Sequence, residues 1–292
     1  MANATIDQLA QSADHSLAET SDLRRIRPGS RFWCGLGGIS LAVLCCIVVP
    51  LALHLDANAA NPMAVLQPPG PGRLFGTDDL GRDVLVRVLI GVRLSLLLGF
   101  GVSVVTFLIG MPLGMLAAYS RWADVLIMRV VDALMSLPPI LLALSFMAVV
   151  GPGLINVWIV LCVAWTPLTI RMARAAVLEV LSQGYIEAAR ALGAGMPTIF
   201  ARHVLRNAFD PVLVQQTVAF TGAILGEATF SFVGAGLQPP DTSLGMILSD
   251  AQQNLYQAPW IAIFPAGVLV LLVLSIILLG DGLHDLLAGG PT

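Results

Sequence analysis

Tyr185-Ile186-Glu187-Ala188-Ala189-Arg190-Ala191-Leu192-Gly193, followed ten residues on by His203-Val204-Leu205-Arg206-Asn207, is the one compact, charged and patterned stretch in a strongly hydrophobic chain. Glu187-Ala188-Ala189 favours the start of a short helix. Gly193 marks its end, because glycine accepts the left-handed angles of a helix stop. Pro197 suits the first turn of a second helix, where its missing N–H costs nothing. The stretch over about residues 182–207 therefore reads as two short helices joined by a turn, offered to water between apolar segments.

Outward from this loop the chain is apolar. It is 57% hydrophobic and 11% charged, against roughly 25% charged for a soluble domain. That much apolar surface places it in the membrane. About twenty apolar residues cross a bilayer core, and the runs of that length are 32–53, 94–119, 125–149, 154–173, 209–234 and 259–280. Gly151-Pro152-Gly153 forces a tight reversal between the third and fourth. Pro138-Pro139 is expected to kink the third. The fold class is all-α: a polytopic membrane protein with six transmembrane helices. The expected organisation is a cytosolic N-terminal tail over 1–31, one membrane domain over 32–285 and a short C-terminal tail over 286–292. No internal repeat is detectable, and residues 57–74, rich in Pro, Gly and Asn, read as an outer linker.

Six spans put both termini on one side. Arg24, Arg25, Arg27 and Arg31 crowd the start of the first span, which the positive-inside rule places in the cytosol. Arg121, Arg129, Arg171, Arg174, Arg190, Arg202 and Arg206 then fall on or near the same side. In the outer loop 54–93 four Arg are matched by Asp56, Asp78, Asp79 and Asp83. A net charge of −3 gives no reason to expect nucleic acid as a partner. Cys34, Cys45, Cys46 and Cys162 lie in apolar runs without metal-ligand spacing, so no metal site is expected. There is no G-x-x-x-x-G-K-[ST] phosphate loop, no G-x-S-x-G elbow and no H-E-x-x-H pair.

Two further constellations stand out. The outer loop ends in Leu74-Phe75-Gly76-Thr77-Asp78-Asp79-Leu80-Gly81-Arg82-Asp83. Thr77 is suited to cap a helix whose first turn holds Asp78 and Asp79. Asp79, Asp83 and Arg87, at four-residue steps, then make a charge-paired stripe. Farther on, Gly222 and Gly226 stand at the spacing that lets membrane helices approach closely, either within the chain or against a partner. Glu227 lies deep in the fifth span and Asp132 near the cytosolic end of the third, with Arg129 or an Arg of the 182–207 loop as candidate partner. Such acids pair internally or line a polar path, and both readings stand for each.

These motifs resemble those of ABC-importer permeases. The loop follows the pattern E-A-A, three residues, Gly, nine residues, Ile-x-Leu-Pro, with His203-Val204-Leu205 where Ile-x-Leu stands and Arg206 in place of Pro. The outer motif Gly76-Thr77-Asp78, Gly81-Arg82-Asp83 and its continuation Arg87 to Ser95 is similar to the second permease subunit of dipeptide, oligopeptide and nickel importers. So is Gly226-Glu227-Ala-Thr-Phe-Ser-Phe-Val-Gly234. The resemblance implies a type I ABC importer permease fold in the bacterial cytoplasmic membrane. It implies a heterodimer with a homologous permease, two cytosolic ATPase subunits and an extracytoplasmic substrate-binding protein. ATP and Mg would be held by the ATPases and no cofactor by this chain, which would not itself be an enzyme. Glu187, Ala188, Ala189, Gly193, His203 and Leu205 would form the coupling loop. The substrate would be a di- or oligopeptide, with a glutathione-like peptide or a nickel chelate as alternatives. A secondary transporter or channel is the alternative class and predicts inverted repeats.

Overall fold

The computed structural model describes residues 30–53 and 56–287, so most of the expected N-terminal tail, with Arg24, Arg25 and Arg27, and the C-terminal tail from residue 288 lie outside the described residues. The chain is helical: α1 Ser30–Leu53, α2 Val84–Tyr119, α3 Arg121–Met135, α4 Pro139–Val150, α5 Leu154–Leu181, α6 Gly184–Ala191, α7 Met196–Ile199, α8 Leu205–Phe232, α9 Leu244–Ala251 and α10 Trp260–Leu287. Among the described residues there are two isolated β-bridges and no strand.

Five helices are long and apolar enough to cross a membrane, and the bent pair α3–α4 makes a sixth candidate. That pair departs from expectation. The third span is not a kinked continuous helix but two helices at 85°, with the break at Ser136-Leu137-Pro138. The two prolines remove successive backbone donors, and the residue before a proline is driven out of the helical region. The second span also starts ten residues before the expected 94, at Val84, because Asp83 caps it there with bonds from Leu85 N (2.8 Å) and Val86 N (3.3 Å).

The 36-residue α2, about 54 Å long at 1.5 Å per residue, is the axis on which α5 and α8 pack. Its crossing with α5 is close because side chains are missing there. A Cβ on Gly110 would meet Thr169 Cγ2 at 2.5 Å, and one on Gly114 would meet Ile170 O at 2.8 Å. With no hydrophobic drive between helices in lipid, such close backbone packing holds them together. Three apolar clusters stack along the bundle. One joins α1, α2, α9 and α10 through Val84, Val88, Leu244, Ile247 and Ile276. The next joins α2, α4, α5 and α8. The last joins Met111 of α2 and Val177 of α5 to Ile186 of α6, Ile199 of α7 and Ala208 of α8.

Candidate functional site

The segment over 184–207 forms as its sequence dictates at the first arm. α6 begins at Gly184 with Glu187 in its first turn and Arg190 in its last, where the helix dipole favours each sign. Gly193, at φ +85°, closes it: Gly193 N donates to Arg190 O (2.9 Å) and Ala194 N to Ala189 O (3.0 Å). These are the paired bonds of a left-handed helix stop. Pro197 opens α7 as anticipated. The second arm differs from expectation. It does not end as a separate helix but passes through a π-helical turn, Phe200–Val204, into α8. Arg206, where a proline would have lacked the N–H that a continuing helix needs, lies inside α8 and lets it run on.

Two isoleucines tie this segment to the bundle. Ile186 and Ile199 are fully buried against α2 and α5, and Asn207 Nδ2 donates to Tyr185 Oη at 2.8 Å. Glu187 and Ala188 stay exposed, and Leu192 is 89% exposed. Leu205 is partly exposed and His203 half-buried beside Tyr185. The result is a firmly anchored element with an open outer face, small at Ala188 and apolar at Leu192.

The outer motif folds differently from the expected capped helix. Thr77 is not an N-cap; Asp83 is. Thr77 is buried and pins the strap over residues 61–83: its Oγ1 donates to Ala64 O (2.5 Å) and accepts from Gln67 N (2.8 Å), while Trp260 Nε1 of α10 donates to its carbonyl (3.1 Å). Gly81, at φ +72°, lies so close to Asn61 that a side chain has no room. A Cβ on Gly76 would meet Gln67 O at 2.6 Å. The expected surface stripe of Asp79, Asp83 and Arg87 does not form: Asp83 caps α2, Arg87 is buried, and Asp79 stands 3.7 Å from Arg82.

Asp78 is the centre. Its carboxylate accepts from Leu80 N (2.9 Å), Arg82 N (2.8 Å), Arg82 Nε (2.6 Å) and Arg87 Nη1 (2.8 Å). Arg87 Nη2 also donates to Asp250 Oδ2 on α9 at 3.0 Å. One buried network therefore joins the strap, α2 and α9. No local signal in the sequence marks Asp250, because its partner lies 163 positions away.

Glu227 is fully buried on α8, and among the described residues it has no cationic partner. Its partners are hydroxyls. Ser231 Oγ donates to Oε1 (2.7 Å) while accepting from Leu237 N (3.2 Å), and Ser95 Oγ of α2 donates to Oε2 (3.4 Å). Ser243 caps α9 by accepting from Met246 N at 3.2 Å. Ser231, which accepts a backbone N–H, keeps its own hydrogen for Glu227. Gly222 and Gly226 face α5, where a Cβ would strike the Trp165 ring and, at 2.7 Å, Leu161 Cδ2. The close packing is therefore within the chain.

Asp132 pairs with neither Arg129 nor an arginine of the coupling segment but with Arg171 of α5. Both are exposed, at 62% and 46%. Two turns earlier Asp124 accepts two bonds from Arg174, at 2.6 and 2.8 Å. The α3–α5 contact is thus fastened by two ion pairs. Among the described residues no cluster of His, Cys, Asp and Glu is arranged to hold a metal.

Residues 110–290 match the family described as "Binding-protein-dependent transport system inner membrane component". The chain is 41% identical over 264 residues to a putative peptide transport system permease protein of Brucella suis, covering 90% of this chain and 89% of that one. It is 38% identical over 254 residues to the dipeptide transport system permease protein DppC of Alkalihalophilus pseudofirmus, covering 87% and 84%. Among solved structures, an inward-facing MetNI methionine ABC transporter aligns with a TM-score of 0.56 at 26% identity, covering 71% of this chain and 97% of that one. The fold is that of a type I ABC importer permease, a multi-pass membrane protein. The chain belongs to the family of inner membrane components of binding-protein-dependent transport systems.

Proposed function

We propose that this chain is the second permease subunit of an ATP-driven importer of di- and oligopeptides, supplying half of the translocation path. The observation that carries the reading is the coupling segment, held to α2 and α5 by Ile186 and Ile199 while Glu187, Ala188 and Leu192 are left open. An exposed element so rigidly joined to two spanning helices transmits a push from a cytosolic partner into the bundle. Two ATPase subunits provide that push and hold ATP and Mg; this chain binds neither. A homologous permease completes the path, and an extracytoplasmic binding protein delivers the substrate. Both termini face the cytosol, as the arginine distribution requires. Relatives named for peptide and dipeptide transport support the substrate class over a nickel chelate.

The test is import into proteoliposomes holding the assembled complex, with the binding protein outside and ATP inside the ATPase compartment. Labelled di- and oligopeptides are expected to accumulate only with ATP. Import of a nickel chelate with no peptide import would overturn the substrate assignment. Uptake without ATP or binding protein would overturn the importer reading itself.

A further inference from the structure

The helix α1 leans on α10 and parts from α2. Gly35 and Gly38 make the α1–α10 approach: a Cβ on Gly35 would meet Ser275 O at 2.7 Å, and one on Gly38 would strike the Ser275 side chain. Around this contact a slot of about 320 Å³ remains between the three helices, walled by Leu41 and Ala42 of α1, Leu89 and Val92 of α2, and Val268 and Leu271 of α10. Phe75 of the strap, stacked on Phe264 at 4.2 Å, also lines it. The one hydroxyl in the wall, Ser275 Oγ, is committed to Leu271 O at 2.7 Å. Leu41 and Leu271 form its open lips, 61% and 65% exposed.

All three helical walls are membrane-spanning. An apolar cavity without polar partners does not hold water, and its lining suits hydrocarbon. Beside it stands Arg93, which follows Val92 and lies one turn on from Leu89 along the slot face of α2. Arg93 is exposed. Among the described residues it forms no ion pair. An exposed cation beside an apolar slot between spanning helices calls for an anion, and the phosphate of a lipid head group supplies one.

We propose that the slot between α1, α2 and α10 is a site for one membrane phospholipid, its acyl chain in the slot and its phosphate on Arg93. There the lipid fastens α1 to α2.

The test uses the assembled complex in vesicles of phosphatidylcholine carrying a trace of phospholipid with a photoreactive group in the acyl chain. Adducts are expected on residues 41–45 and 268–272, and unlabelled phosphatidylglycerol should displace the probe about fivefold better than phosphatidylcholine. Ala42→Trp fills the slot and should remove these adducts while labelling of other lipid-facing helices persists. Arg93→Gln should keep the adducts and abolish the head-group preference. Leu89→Trp, from the opposite wall, gives the same readout should Ala42→Trp fail to assemble. Adducts spread evenly around the bundle, or unchanged in both filled variants, would overturn the site. Equal displacement by the two lipids in the unmodified protein would overturn the phosphate contact.

Discussion

Asp78 and Arg87 form an ion pair that water does not reach: Arg87 Nη1 donates to Asp78 Oδ2 at 2.8 Å, with the side chains 0% and 1% exposed. Removing one partner of such a pair leaves a buried charge uncompensated, at a cost of roughly 3–5 kcal/mol. Arg87→Met is therefore expected to lower the yield and melting temperature of the assembled complex strongly. Asp250→Asn touches the same network at a side chain that is 30% exposed and should cost about 1–2 kcal/mol, the scale of one charged hydrogen bond. Thermal unfolding of the two purified complexes checks the order; equal losses would contradict it.

Gly193→Val places a β-branched residue at φ +85°. Nothing stands within 4 Å of the added Cβ, so the penalty is backbone strain alone, about 1–3 kcal/mol. The complex is expected to assemble, with the stimulation of ATP hydrolysis by loaded binding protein lost. Normal stimulation in this variant would show that the angle of the α6–α7 turn does not matter for coupling.

Glu227 separates two outcomes through its partners. Because it meets hydroxyls and no cation, Glu227→Gln strands no charge, and the amide oxygen still accepts from Ser231. Assembly and transport per assembled complex are expected to stay within about twofold of the parent, a shift under 1 kcal/mol. Glu227→Leu leaves the hydroxyls of Ser231 and Ser95 without an acceptor, at roughly 1–3 kcal/mol for each buried group, and should reduce assembly. A large fall in specific transport with normal assembly in the Gln variant would instead assign the carboxylate to the path.

The exposed pair Asp132–Arg171 is worth about 0–1 kcal/mol. Asp132→Asn is expected to leave assembly unchanged and to lose little transport. A complete loss of transport would make Asp132 part of the gate.

Orientation is checked by single cysteines in a background without Cys34, Cys45, Cys46 and Cys162. Asn61, Gln252, Ser182 and Thr198 are all exposed. The first two are expected to react with an impermeant maleimide in intact cells and the last two only after lysis. The reverse pattern would invert the topology.

The sequence alone determined the features that a few neighbouring residues encode. Runs of about twenty apolar residues mark the spans, Gly193 and Pro197 punctuate the two short helices α6 and α7, and Pro138-Pro139 mark a disruption in the third span. Each of these is a short-range constraint on backbone angles or on solvation. Only the tertiary structure decided which charges meet. Thr77 and Asp78, read as a helix start, became a buried hub because Ala64 and Trp260 reach Thr77, and Arg87 reaches Asp78, from elsewhere in the chain. Asp132 chose Arg171, 39 residues on, and Asp250 chose Arg87, 163 residues back. A buried charge is stabilised by whichever opposite charge the packing of helices brings within about 3 Å, and that distance is a property of the folded bundle rather than of spacing along the chain.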